Sequence, residues 1–215
     1  LLPFLIVISA VYYIPFINIK YLSLVTLSIW LVLIILMFLS TDSLKYLIEK
    51  YSNVVGIFLL ASFFAHLISF FSSTSMININ SDVIDRKYYL LLLILLLSII
   101  DIFSYFSGKI FGSFKIVPKI SPNKTIEGYF GGYIFTMIMF ITFSEVYKIS
   151  WMTSDILYLT LLILLAFSGD LFMSVVKRTY KIKDTGTILP GHGGLLDRLD
   201  SYLPSTPLFF LWVMA

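Results

Sequence analysis

The chain has 215 residues, of which 59% are hydrophobic and only 13% charged, with a net charge of +3 at pH 7 and a mean hydropathy of +0.98. A soluble domain carries about 25% charged residues, so an ordinary water-soluble core is excluded. The absence of cysteine also excludes disulfides and thiolate metal sites. What remains is an all-α, polytopic integral membrane helical bundle, because the apolar runs are long and lack the alternation of barrel strands.

Runs of about 20 apolar residues are needed to cross the hydrocarbon core. They predict seven spans, at roughly 1–18, 21–40, 53–73, 88–106, 128–148, 152–173 and 202–215, the last cut short. The chain opens on Leu1 rather than Met and stops inside an apolar run at Ala215, so further residues are expected beyond both ends. No processable signal peptide is distinct from the first span. There is no internal repeat and no low-complexity linker.

The loops between these spans sort by charge. The segments 41–52, 107–127 and 174–201 hold Lys45, Lys50, Lys109, Lys115, Lys119, Lys124, Lys177, Arg178, Lys181, Lys183 and Arg198, whereas the alternate set holds Lys20, Arg86, Lys87 and Lys148. Strict alternation places each set on one side, and the positive-inside rule makes the Lys-rich side cytoplasmic. The polar segments are therefore expected to face the cytoplasm.

In chain order, His66 stands alone in GIFLLASFFAHLISFF and is expected to be a hydrogen-bonded helix-packing residue. Asp82, Asp85, Arg86 and Lys87 suit a solvated external loop. Asp101 lies within LLLSIIDIFSYF, and an intramembrane carboxylate is a functional candidate by default, with Lys109 or Tyr105 as partner. A positioning role is favoured for it over metal ligation.

The segment 107–127 supplies positive charge from Lys115, Lys119 and Lys124 and hydrogen-bonding groups from Ser121, Asn123 and Thr125. Pro118 and Pro122 keep it out of a helix. Glu127 is placed to cap the next helix or to pair with Lys124.

Asp170 follows LTLLILLAFSG at the end of a span. If the helix continues, Ser174, Lys177, Arg178 and Lys181 fall on its face at +4, +7, +8 and +11. A carboxylate followed by cations suits a phosphate–metal site: the carboxylate holds a hard cation while Lys and Arg take phosphate oxygens. The same residues also read as an ordinary basic span end with Asp170 neutralised by a neighbouring Lys.

Beyond them, Leu189-Pro190-Gly191-His192-Gly193-Gly194 cannot be regular helix, and its glycines let backbone N–H groups approach an anion. Asp197 and Asp200 then share a helical face with Arg198 between them, a spacing able to hold one cation or a phosphate-bridged pair. A Gly-rich turn before a helix with acidic first-turn residues accounts for one Asp of this set.

The run from Ser174 through Lys177-Arg178, Lys183-Asp184, Gly186, Leu189-Pro190 and His192-Gly193-Gly194 to Asp197-Arg198 and Asp200 resembles the signature of the phosphatidate cytidylyltransferases, also called CDP-diacylglycerol synthases. It shows no departure within 174–200. The block 101–132 is similar to the family's upstream elements, through Asp101 and Tyr105, Gly108 with Phe111-Gly112, and Ile120–Gly128. It differs in Ser104, where a small Ala is usual, and in Lys109 and Ser113, where Arg is frequent. The resemblance covers roughly residues 90–215.

The resemblance implies a membrane-embedded nucleotidyltransferase of phospholipid biosynthesis that converts CTP and phosphatidate to CDP-diacylglycerol and pyrophosphate. It makes residues 1–87 N-terminal transmembrane helices and 88–215 a catalytic transmembrane region with cytoplasmic loops 107–127 and 174–201. The expected catalytic residues are Asp170, Lys177, Arg178, Lys183, Asp184, His192, Asp197, Arg198 and Asp200. Substrate contacts are expected from Ser121, Asn123, Lys124, Thr125, Ser174, Gly193 and Gly194. Asp170, Asp197 and Asp200 would hold Mg²⁺, with room for a second metal ion. Besides the two substrates and the bilayer, a homodimer is an expected assembly, and nucleic acid is not an expected partner.

Rival activities use the same parts: a CTP-dependent kinase or transferase acting on a polyprenol or another lipid phosphate. A CDP-alcohol phosphatidyltransferase lacks support, since no Asp-Gly-x-x-Ala-Arg run occurs. A transporter or channel with Asp101 and Asp170 on its pathway leaves the 174–200 segment unexplained.

Overall fold

A computed structural model describes residues 18–72, 77–79, 82–84, 86–118, 120–146, 152–186 and 194–213. The helices are α1 (Ile19–Leu39), α2 (Thr41–Ser72), α3 (Arg86–Phe111), α4 (Ile126–Val146), α5 (Thr153–Thr179), α6 (Leu196–Leu199) and α7 (Tyr202–Val213). The strands are β1 (Ile77–Ile79) with β2 (Asp82–Ile84), and β3 (Lys115–Val117) with β4 (Ser121–Thr125), each pair forming a two-stranded antiparallel hairpin.

Helices α1 to α5 are long and apolar enough to cross a membrane, five among the described residues. The chain is thus an integral membrane helical bundle, with two short hairpins added to the all-α expectation. The expected count of seven spans is not confirmed among the described residues: residues 1–17 of the first lie outside them, and the last, expected to be cut short, is described as the 12-residue α7.

Three expected loops are partly helical. Residues 41–52 open the 32-residue α2, residues 107–111 finish α3, and residues 174–179 finish α5. Span boundaries read from hydropathy stop where polar residues begin. A helix satisfies its own backbone and continues past that point.

The chain falls into two compact units: Leu1–Thr74 with Ser168–Ala215, and Ser75–Phe167. In the first, α7 is apolar on every side, and Leu203 to Phe210 are all buried, as befits a helix enclosed by others. Trp30 of α1 is fully buried with its ring edge-on to Phe172 of α5, centroids 5.3 Å apart.

A polar network joins α1 to α2 inside this apolar packing. His66 Nδ1 lies 2.7 Å from the Ser62 carbonyl, and Nε2 lies 2.7 Å from Ser23 Oγ. A carbonyl only accepts, so Nδ1 carries a proton, and Ser23 Oγ lies within hydrogen-bond reach of both Nε2 and the Ile19 carbonyl at 2.8 Å. One turn away, Thr26 Oγ1 donates to the Leu22 carbonyl and so accepts from Ser62 Oγ at 2.7 Å. Ser23, Thr26, Ser62 and His66 are all buried, and the edge of the His66 ring meets Phe210. The packing role expected for His66 is the one observed.

The second unit is built on the approach of α3 to α4 through small residues. Gly108 faces Gly128, whose missing Cβ would lie 2.8 Å from the Ser104 carbonyl and 3.2 Å from Gly108 Cα. At Gly132 it would lie 3.0 Å from the Ile100 carbonyl and 3.3 Å from Phe167 Cζ, and at Gly131 it would run into the Ser107 side chain. Helices in lipid associate through such close backbone contact, because lipid is as apolar as the side chains it would replace. Flanking this seam, Phe103 stacks on Phe135 at 4.1 Å and Tyr129 on Phe167 at 3.9 Å.

The His66–Ser23 contact is testable by a double-mutant cycle with His66→Leu and Ser23→Ala, read from unfolding in detergent. The expected coupling is about 0.6 kcal/mol and no more than about 1.7 kcal/mol, the range of interhelical hydrogen bonds in membranes. Strict additivity of the two changes sinks the linkage.

Candidate active site

Helix α5 carries Asp170, Ser174, Lys177 and Arg178 on its last turns and ends at Thr179. The Lys181 N–H donates to the Arg178 carbonyl at 3.1 Å and the Ile182 N–H to the Lys177 carbonyl at 2.9 Å. Lys181 itself is left-handed, with φ 57°. This is a Schellman termination with Lys where Gly is usual. The expected cationic face therefore stops at Arg178, and Lys181 turns the chain instead of extending the stripe.

The turn leads to Thr185, which meets the first turn of α6 at Asp197. One carboxylate gathers this region. Asp197 Oδ1 accepts from Lys177 Nζ at 2.8 Å, with the two side chains only 11% and 17% exposed. Oδ2 accepts from the Thr185 N–H at 2.8 Å, the Thr185 hydroxyl at 2.9 Å and the Gly194 N–H at 2.9 Å. Burial pushes the Asp197 carboxyl up, but the hydrogen bonds from Lys177, from the Thr185 and Gly194 amides and from the Thr185 hydroxyl outweigh it. They hold the group down at about 2, below the ordinary 3.8.

Gly194 is required at this junction. A Cβ there would lie 2.7 Å from Gly186 N and 2.8 Å from the Thr185 carbonyl carbon, and would collide with Thr185 Oγ1. Gly169 plays a similar part where α5 passes the entry to α7. Its absent Cβ would lie 2.6 Å from Pro204 Cγ and press on the Asp200 carbonyl. The backbones of Asp200 and of residue 169, next to Asp170, therefore meet at one crossing.

Ser174 Oγ donates to the Asp170 carbonyl at 2.9 Å, and Asp200 Oδ1 accepts the Ser201 N–H at 2.8 Å. Asp170 and Asp200 are half-buried, whereas Arg178, Lys183, Asp184 and Arg198 are exposed. His192 and Gly193 lie outside the described residues.

Carboxylates are hard oxygen donors suited to Mg²⁺, which is commonly held by one or two of them together with substrate phosphates. Asp170 and Asp200 carry such oxygens and are among the residues expected to hold the ion. Asp197 has both oxygens engaged by protein donors, so a metal role for it requires Lys177 to leave Oδ1. Among the described residues, no group of three or more His, Asp or Glu side chains is arranged to hold a metal ion.

The other expected binding segment, in the second unit, is the β3–β4 hairpin. Lys115 pairs with Thr125 and Val117 with Ser121, with an irregularity between them. Thr125 is buried, and its hydroxyl accepts the Gly128 N–H at 3.2 Å, capping α4. Both carboxylate oxygens of Glu127 accept the Phe114 N–H, at 3.0 and 3.2 Å, and the Ile126 N–H returns to the Phe114 carbonyl at 2.9 Å. Of the remaining expected contacts, Ser121 and Lys124 are half-buried and Asn123 is exposed. Asp101 is exposed on α3, next to the fully buried Ile100, and Lys109 Nζ sits over the Tyr105 ring at 5.9 Å.

Sequence reasoning missed Thr185. The signal available was a hydroxyl residue directly before Gly186, twelve positions ahead of a carboxylate that needed donors.

A sequence model described as the cytidylyltransferase family matches residues 1–215. The protein is 42% identical over 113 residues to "Uncharacterized protein YnbB" of Escherichia coli K12, covering 53% of this chain and 38% of that one. It is 44% identical over 115 residues to a phosphatidate cytidylyltransferase of Bacillus subtilis, covering 50% and 41%. It is 39% identical over 128 residues to a phosphatidate cytidylyltransferase of Aquifex aeolicus, covering 60% and 48%. Each match spans less than half the length of the relative.

Asp197 gives the fold an acid limit. Its depressed carboxyl contributes stability that is complete above about pH 4 and is lost as pH falls through about 2. Asp197→Asn should lower stability at neutral pH and flatten the profile between pH 4 and 2, measured by unfolding in detergent. A variant with the same acid limb as the wild type overturns this. Lys181→Gly removes a left-handed side chain and should raise stability by about 1 kcal/mol; a loss of stability contradicts the strain argument.

Proposed function

Because the chain belongs to the cytidylyltransferase family, we propose that it transfers the cytidylyl group of CTP to phosphatidate, giving CDP-diacylglycerol and pyrophosphate. The observation that carries this reading is the Lys177–Asp197 pair. It fixes a cation at the polar end of an apolar helix, beside a glycine-bearing turn and two further carboxylates.

A phosphate oxygen of phosphatidate attacks the α-phosphorus of CTP. The new P–O bond forms as the bond to the β-phosphate oxygen breaks, and pyrophosphate leaves with the electron pair. No strong base is needed, since a phosphate monoester with a second pKa of about 6 is already largely ionised near neutral pH.

The chain's own residues bind and orient. Lys177, Arg178, Lys183 and Arg198 take phosphate oxygens. Asp170 and Asp200 would hold Mg²⁺, and Asp197 joins them if Lys177 is drawn away to a phosphate. Bound there, the ion would offset negative charge on the reacting phosphates and the leaving pyrophosphate.

A site where apolar helix meets polar turn suits the substrates. Acyl chains stay among the lipids while the nucleotide arrives from water. The lysine-rich segments support a cytoplasmic orientation in a bacterial inner membrane.

The test is incubation of the detergent-purified protein with phosphatidate, Mg²⁺ and CTP labelled at the α-phosphate. Label should enter the lipid phase, and Asp170→Ala should reduce it on the order of 10³-fold, equivalent to about 4 kcal/mol of transition-state stabilisation. No lipid label from folded protein overturns the assignment. Near-normal turnover by the variant removes Asp170 from the site.

A further inference from the structure

We infer that Thr185 is the positioning residue of this site: its hydroxyl orients the Asp197 carboxylate so that Oδ1 alone is presented to Lys177. The three donors on Oδ2 differ in kind. The Thr185 and Gly194 amides come with the backbone, whereas the Thr185 hydroxyl, at 2.9 Å, is the side-chain contribution.

A carboxylate turns broadly about its last torsion unless hydrogen bonds hold its oxygens in place. Three donors on one oxygen fix its plane. Lys177 Nζ, at 2.8 Å from the other oxygen, is then held in one place on a side chain with four rotatable carbons. A charge-assisted hydrogen bond contributes about twice as much as a neutral one, so loss of the hydroxyl is felt at Lys177 although Thr185 does not touch it.

The neighbouring backbone preserves this contact independently. The space a Gly194 side chain would occupy is filled by Thr185 Oγ1 itself. Glycine there leaves room for the hydroxyl, and the hydroxyl holds the carboxylate that receives the Gly194 N–H. The stretches 184–186 and 194–197 are thereby tied at one oxygen atom. The effect on turnover rests on the reaction proposed above; the effect on local order does not.

The test compares Thr185→Val, which keeps the branched shape and removes the hydroxyl, with Thr185→Ser, which keeps the hydroxyl. Amide hydrogen exchange at Thr185 and Gly194 is measured beside lipid-linked label from CTP. In the valine variant, exchange at these two amides should rise about tenfold and turnover should fall about tenfold, the size expected for one hydrogen bond to a charged group. The serine variant should restore both.

Wild-type exchange in the valine variant overturns the proposal, as does a failure of serine to restore it, which assigns the effect to packing of the methyl group. If the wild type itself labels no lipid, the reaction assignment is what fails. Faster exchange in the valine variant with rescue by serine still establishes the positioning contact.

Discussion

Four donors on a single carboxylate hold together the polar end of the first unit. Lys177, Thr185 and Gly194 belong to a helix, a turn and a glycine junction, yet all end at Asp197. In a protein with so few charges, a half-buried lysine and a half-buried aspartate tolerate their surroundings only as a pair. Removing either leaves the other charge uncompensated. The helix end at Thr179, the left-handed Lys181 and the missing side chain at Gly194 are the local conditions that let the pair form.

Elsewhere the two units solve the problem of cohesion in lipid differently. The first uses directed polar contacts, with serine and threonine hydroxyls and one imidazole aligned between α1 and α2. The second uses shape, bringing the α3 and α4 backbones together where Gly108, Gly128, Gly131 and Gly132 have no side chains to keep them apart. The contacts described at both joints are made by uncharged groups.

How much of this was legible in the residues depended on the length scale of the signal. Five long apolar helices and the packing role of His66 follow from hydropathy and from the cost of an unpaired polar group. Helix ends were less accessible: α2, α3 and α5 all continue through residues that looked like loop, because hydropathy falls before hydrogen bonding does. Within the site, Asp197 and Lys177 were visible as charges, but their pairing was not. It depends on a turn at Lys181 whose residue type gives no warning of a positive φ. Thr185 left only a faint signal for the same reason, since its role exists only once the turn has brought it back. The spacing of Ser104 with Gly108 and of Gly128 with Gly132 was a readable helix-packing signal obscured by its place in a polar motif.

The glycine seam has a thermodynamic consequence. When α3 and α4 meet within a bilayer, lipid leaves their surfaces rather than water, so the hydration change behind the large heat capacity of ordinary core formation is missing. The joint is held by dispersion and close dipolar contact, whose enthalpy varies little with temperature. Cooling therefore does not weaken it as it weakens a water-driven core, and a cold-adapted and a warm-adapted membrane would find the same two helices joined with similar strength.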